Sequence, residues 1–338
     1  MRVLVTGAAG FIGCHLIKSL VAEGYDVVSF VMPGSETSFI ENERTDIKYG
    51  NLNDIRSLKK AVEGIETVYH LAAIPKWEGG VSQQKYKIVN VEGTRNLLEV
   101  CRLNSVKRVL FTSSLDAVGP SIDGNPINEE TVPKPRNIYG ATKLEGERIA
   151  KEYYEKYGLE IVIVRLPMVY GPRNLLHLKR FFRMVKRGYY PIVGNGDALM
   201  EFCYVKNAVH GLKLAMEKGK PGEIYFISDE RSYQFREVIT DIARQLNVNL
   251  KFIRMSVPIA KGLGFSIEIL SKFLKFYPFT FKGTGRPAFS RNTVTWMAKS
   301  TLFCDISKAK KDFGYKAQYT LQEGIRETIK WYRKIGVL

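Results

Sequence analysis

MRVLVTGAAGFIG, residues 1–13, is the stretch that decides the fold. Arg2–Thr6 is a short β-rich run, and Phe11–Glu23 carries its apolar residues at helical spacing. Between them Gly7-Ala8-Ala9-Gly10-Phe11-Ile12-Gly13 sets glycines at G-x-x-G-x-x-G. Glycines let a backbone turn tightly from strand into helix, and the free N–H groups and positive dipole end of that helix receive an anion such as a pyrophosphate. The expected contacts are Gly7, Ala9, Gly10, Phe11 and Ile12.

Outward from this turn the pattern repeats. Asp26–Val31, Glu66–Leu71, Arg108–Ser113 and Glu160–Arg165 read as strands, and Ile55–Val62, Val89–Leu103 and Thr142–Tyr157 as helices. Runs as apolar as Val3–Val5 and Ile161–Val164 suit a sheet covered on both faces. The fold class is therefore α/β, a Rossmann-type doubly wound parallel sheet. After Arg165 the alternation stops, and Pro167, Gly171, Pro172, Gly188, Pro191, Gly194 and Gly196 crowd together. One more strand, Glu223–Ile227, rejoins the sheet. The expected division is a dinucleotide-binding domain of 1–170 plus about 203–231, and a smaller, mixed substrate lobe of 171–202 and 232–338.

The 338 residues are 45% hydrophobic and 25% charged, an ordinary globular composition, and no apolar run is long enough to span a bilayer. The N-terminus lacks the segments of a signal peptide, so a cytoplasmic location is expected. Cys14, Cys101, Cys203 and Cys304 lie far apart, which predicts buried thiols with neither disulfide nor metal. Charge is uneven. Residues 1–170 hold 21 basic and 21 acidic side chains, residues 171–338 hold 30 and 13, and the net charge is +17. Within 245–304 nine basic residues face one acid, Glu268, among many aromatic rings. Ile259, Leu263, Ile267, Leu270 and Leu274 fall there at helical spacing with Lys261, Lys272 and Lys275 off the stripe. Such a helix fits either peripheral contact with an anionic membrane or the core-facing side of a lobe. No nucleic-acid motif accompanies the charge, and no nucleic-acid partner is expected.

The chemistry lies further along. An acid at the end of the second strand would bind the ribose hydroxyls of NAD, and a nearby Arg the extra phosphate of NADP. Here that position is Val31, followed by Met32, and Asn51 stands where an adenine-contacting Asp is expected, so NAD and NADP both stay open. Tyr139-Gly140-Ala141-Thr142-Lys143 puts a phenol and an ammonium on one helix face. A phenol with a pKa near 10 is a poor acid/base at pH 7, and a neighbouring cation stabilises its phenolate. Thr112-Ser113-Ser114 ends a strand at the same sheet edge.

At this point the sequence resembles the extended short-chain dehydrogenase/reductase family, also called the NAD-dependent epimerase/dehydratase family. The ordered landmarks are TGAAGFIG at 6–13, HLAA at 70–73, NVEGTRNLLE at 90–99, FTSS at 111–114, YGATK at 139–143, RLPMVYGP at 165–172 and DISKAKKDFGY at 305–315. The resemblance implies that Tyr139 is the general acid/base, that Lys143 lowers its pKa and holds the nicotinamide ribose, and that Ser114 bonds the reacting oxygen. It also implies cofactor contacts at Met32, Asn51, Leu52, Leu71, Ala72, Ala73, Asn90, Thr112, Pro167 and Val169, and a homodimer built on the helices near Val89–Leu103 and Tyr139–Tyr157.

Departures narrow the choice. The dehydratase run Thr-Asp-Glu is replaced by Ser114-Leu115-Asp116, against water elimination. The arginines with which nucleotide-sugar epimerases clamp a diphosphate are missing, with Met200 in place of one and Ala298-Lys299-Ser300-Thr301 in place of the other run. Arg173, Arg286 and Arg291 remain as substitutes. Ser113-Ser114-Leu115-Asp116-Ala117-Val118-Gly119-Pro120 is similar to the 3β-hydroxysteroid dehydrogenase and dihydroflavonol reductase branch. The expectation is an NAD(P)-dependent oxidoreductase acting on a secondary alcohol or ketone of a hydrophobic, sterol-like or lipid-like substrate. The alternative is a nucleotide-sugar 4-epimerase that retains its NAD.

Overall fold

In a computed structural model of the chain, residues 1–76, 80–121, 124–174, 178–274, 290–298 and 301–338 are described. Seven parallel strands form the central sheet: β1 (Arg2–Thr6), β2 (Asp26–Val31), β3 (Thr45–Tyr49), β4 (Thr67–His70), β5 (Arg108–Ser114), β6 (Glu160–Leu166) and β7 (Ile224–Phe226). Their order is β7-β6-β5-β4-β1-β2-β3. The chain therefore runs outward from β1 to β3, then crosses back to place β4 on the other side of β1. The crevice at that reversal, beyond the carboxyl ends of β1 and β4, is where open α/β sheets bind ligands.

Each face of the sheet is covered, which explains the fully apolar strands. On one face α1 (Phe11–Ala22) and α5 (Val205–Lys218) bury Leu16, Ile17, Leu20, Ala208 and Leu212 against Val3, Val5 and Val164. On the other, α2 (Ile55–Val62), α3 (Gly93–Leu103) and α4 (Ile138–Tyr157) bury Leu58, Leu97, Leu98, Ile149 and Ala150 against Leu4, Val68 and Ile163. All four cysteines are buried and free.

One strand is absent from the sequence reading, and one helix begins earlier than it suggests. Edge strand β3, TDIKY, is half-polar and escapes a search for apolar runs. Helix α4 starts at Ile138 instead of Thr142, because Asn137 caps it by accepting a bond from Gly140 N at 2.8 Å. Gly140 is needed there for contact: a Cβ would collide with the Asp116 carbonyl oxygen.

The second core belongs to the lobe. Phe182, Val185, Tyr190, Met200, Phe202, Tyr204, Phe235, Ile239, Ile325 and Tyr332 pack together beneath short strand pairs, among them Tyr189–Val193 with Lys251–Met255. Residues 305–315, assigned to the lobe from sequence, contribute Ile306, Ala309, Phe313 and Tyr315 to the core of the main sheet. Helix Val257–Leu274 crosses helix Arg291–Ala298 through its small residues, Ala260 and Gly264. Three residues of its apolar stripe are exposed, Ile259 63%, Leu263 49% and Leu270 60%, and Ile267 is half-buried, so these four do not face a core of the chain. Lys275 and Arg286 lie outside the described residues, as do the side chains of Lys272 and Leu274.

Candidate active site

The carboxyl edge of the sheet gathers the residues singled out from sequence. At the end of β1, Gly7 has φ +69, and a Cβ on it would lie 2.8 Å from Ala72 N. A Cβ on Gly13 would strike the Gly7 carbonyl oxygen. The turn thus passes close to the segment after β4 and leaves Ala9, Gly10, Phe11 and Ile12 around the start of α1. Met32 is exposed after β2, beside buried Val31. After β3, Asn51 accepts from Asn53 N at 3.0 Å, and buried Leu52 offers its carbonyl to Asn96 Nδ2 at 3.1 Å. Leu71, Ala72 and Ala73 follow β4, Thr112 and Ser114 end β5, and Pro167 and Val169 follow β6.

A chain of side-chain bonds fixes this edge. Buried His70 bonds Thr6 Oγ1 through Nδ1 at 2.8 Å and Thr94 Oγ1 through Nε2 at 3.0 Å, while Ala72 N donates to Thr6 Oγ1 at 3.3 Å. Burial, then the charge of Lys143, lowers the His70 pKa to about 3, so the ring is neutral and spans β1, β4 and α3. Asn90 sits in a single π-helical turn, Ile88–Glu92, which widens the helix just before α3. Its Oδ1 accepts from Ile74 N at 2.7 Å, and its Nδ2 reaches Ile74 O at 3.2 Å and Thr142 Oγ1 at 3.1 Å. Asn90 therefore ties the strand-end segment to the helix that carries Tyr139 and Lys143.

Tyr139 and Lys143 are one turn apart on α4, over the end of β5. Lys143 is 3% exposed, with Nζ 4.3 Å from the Phe111 ring centroid. Burial pushes its pKa down to about 7, opposed by the Glu147 carboxylate one turn further on. Glu147 is itself held by Arg165, with Nε at 2.9 Å and Nη2 at 2.7 Å, and by the Ser113 hydroxyl at 2.5 Å. Burial and then the charge of Asp116 hold the Tyr139 phenol above its ordinary range, and the Ser114 hydroxyl acts the other way. The site offers a phenol for proton transfer, the Ser114 hydroxyl beside it and the Lys143 amine one helical turn further along the same helix.

Sequence reading missed two features and named a third, Arg173, without its place. Lys76 donates to Asp116 Oδ1 at 2.6 Å, and Asn137 Nδ2 meets the same oxygen at 3.0 Å, placing a pinned carboxylate beside Tyr139. The Glu147–Arg165 pair, 18 residues apart, carries no local signal beyond a Glu one turn after Lys143. Arg173 stands next to α1 on the cofactor side. Of the other substitute arginines, Arg291 is paired with Glu268 at 2.9 Å, and Met200 is buried in the lobe core. Among the described residues no cluster of His, Cys, Asp and Glu suits a metal ion.

The residues fit a dinucleotide. Gly7, Gly10 and Gly13 make a strand-to-helix turn so close that a Cβ on any of them would strike neighbouring backbone, and Thr112 Oγ1 is a buried polar atom without a partner at the edge of the same crevice. Fold and site together define a dinucleotide-binding enzyme of the tyrosine–lysine type. The chain belongs to the NAD dependent epimerase/dehydratase family, whose model matches residues 3–228. It is 28% identical to the N-acetyl-alpha-D-glucosaminyl-diphospho-ditrans,octacis-undecaprenol 4-epimerase of Escherichia coli O157:H7, covering 98% of this chain and 95% of that protein. It is also 28% identical to a 3 beta-hydroxysteroid dehydrogenase/Delta 5-->4-isomerase of Mycobacterium tuberculosis, over 98% and 90%. The crystal structure of UDP-glucuronic acid 4-epimerase from Bacillus cereus in complex with NAD superposes with a TM-score of 0.76 at 25% identity, over 99% of both chains. This protein is thus an NAD(P)-dependent enzyme of that family.

Proposed function

We propose that the enzyme catalyses net hydride transfer between nicotinamide and a secondary alcohol or ketone of a hydrophobic, lipid-like molecule. The carrying observation is Met200, 4% exposed and packed among Phe202, Tyr204 and Tyr233. Where a nucleotide-sugar enzyme of this family needs a guanidinium for a diphosphate, this chain has closed apolar core. Two relatives of different activity also carry names of lipid substrates, a steroid and an undecaprenol diphosphate.

The bound nicotinamide supplies the hydride acceptor or donor. Ser114 donates to the substrate oxygen and orients it. Tyr139 takes the alcohol proton as its phenolate, or as the phenol gives its proton to the ketone oxygen and is left as the phenolate. Lys143, in its ammonium form, stabilises that phenolate and would hold the ribose. Asn90 and Glu147 keep Thr142 and Lys143 in place. Asp116, pinned by Lys76 and Asn137, borders the pocket but lacks the second carboxyl function that dehydration needs.

The test is to denature freshly purified protein and quantify released NAD(H) and NADP(H). Little retained cofactor, with micromolar exchangeable binding of one form, supports net redox. Stoichiometric retained NAD favours the 4-epimerase, whose cofactor is regenerated within each turnover.

Four buried free thiols fit a reducing, cytoplasmic compartment. The exposed stripe of helix Val257–Leu274, in a segment with nine basic residues and one acid, supports peripheral contact with anionic lipid. No described helix is long and apolar enough to cross a membrane. Leu103, Tyr154 and Tyr157, exposed on α3 and α4, fit a homodimer through those helices. Light scattering tests the dimer.

A further inference from the structure

Arg173 has no part in the chemistry above, yet its setting is unusual. It follows Gly171-Pro172 where the chain leaves the carboxyl edge of the sheet, and its φ is +76, a left-handed conformation that a side chain with a Cβ adopts at a cost. The backbone there is anchored to α1, because the Pro172 carbonyl bonds His15 Nε2 at 3.0 Å. The guanidinium carbon lies 3.4 Å from the centroid of Phe39, in the loop that follows β2. Its charge reaches Cys14 and His15 in the first two turns of α1. Its Nε is buried without a hydrogen-bond partner. Glu36, the carboxylate whose charge bears on it, accepts from Ser38 N at 3.0 Å.

These positions bracket the dinucleotide groove. The glycine turn and the start of α1 define the pyrophosphate end, and the end of β2 defines the adenosine ribose. At the ribose end the positions right after β2 are buried Val31 and exposed Met32, neither of them an acid, and the carboxylate whose charge reaches Arg173 is Glu36, further along the same loop. A guanidinium stacked on an aromatic ring keeps its N–H edge free for a planar, two-pronged grip on phosphate. We propose that Arg173 is a phosphate-binding residue of this groove, reaching from the lobe side to a phosphate of the bound dinucleotide.

The inference rests on the dinucleotide reading of the groove. The phosphate is either the pyrophosphate, common to NAD and NADP, or the 2′-phosphate found in NADP alone. Titration calorimetry with NAD and NADP on wild type, Arg173→Gly and Arg173→Asn separates these. Both replacements tolerate positive φ, so either can keep the backbone if the other fails to fold, and melting curves without nucleotide verify it. We expect at least a 10-fold weaker Kd. Equal loss for both nucleotides identifies the pyrophosphate, and loss confined to NADP identifies the 2′-phosphate. Variants that bind both nucleotides within 2-fold of wild type overturn the role of Arg173 while leaving the groove intact. A wild type that binds neither nucleotide overturns the groove itself and the inference with it.

Discussion

The carboxyl edge of the sheet and helix Val257–Leu274 are built on opposite principles. At the sheet edge three buried polar side chains each have two or more partners: His70 two threonines, Asn90 both backbone atoms of Ile74 and Thr142, Glu147 an arginine and a serine. Helix Val257–Leu274 rests on Ala260 and Gly264, and turns Ile259, Leu263 and Leu270 outward. Proton transfer needs heavy atoms held near 2.6–3.2 Å, so it demands that many constraints converge. A surface that meets a fluid partner needs only its chemical character. The difference is between fixing atoms and presenting a face.

The comparison breaks most sharply at Tyr139. Tyr139→Phe should lower kcat by roughly 10²–10⁴ with NAD affinity unchanged, and unaltered turnover would remove the acid/base assignment. Next comes the buried pair. Glu147→Gln leaves the Arg165 cation buried without its counter-ion and should cost about 3–5 kcal/mol in urea unfolding, whereas a loss under about 1 kcal/mol would mean water reaches the pair.

A smaller effect belongs to Glu201, at the seam between sheet and lobe, where burial raises the carboxyl pKa to about 7 despite the Ser232 hydroxyl at 2.6 Å. Asp229 nearby is raised to about 6, mainly by burial. A carboxyl with a raised folded pKa binds its proton more tightly when folded, so stability falls as pH rises from about 4.5 to 7. Glu201→Gln should flatten that decline, by roughly 1–3 kcal/mol between pH 5 and 8. An unchanged slope of stability against pH would assign it to other groups.

The smallest effect tests the other side of the contrast. Ile259→Glu with Leu263→Glu should change stability by no more than about 0.5 kcal/mol, as expected of exposed positions. The same pair should abolish co-sedimentation with vesicles containing phosphatidylglycerol. A large loss of stability instead would show that the stripe is covered.

How legible each region is from sequence follows the same divide. Gly7–Gly13 and Tyr139–Lys143 announce themselves because their chemistry is local, a tight turn and one helical turn. The strands of the covered sheet announce themselves through unbroken apolar runs. The bonds of His70 and Lys76 do not, because their partners lie far along the chain: Thr6 is 64 residues from His70, and Asp116 is 40 from Lys76. The start of α4 reads late because a glycine at 140 weakens a helical pattern, and the cap that extends it comes from Asn137. Stripe spacing on Val257–Leu274 reveals a helix with an apolar face but not its direction, which depends on whether Ala260 and Gly264 find a neighbour.

The Thr94–His70–Thr6–Ala72 relay has a kinetic consequence. It sutures the two halves of the doubly wound sheet at the seam where the dinucleotide lies, so the groove keeps its width before anything enters. Little conformational entropy remains to be lost on association. Mixing NAD with the protein should accordingly give a single exponential whose rate rises linearly with nucleotide concentration, with no slower closing phase behind it.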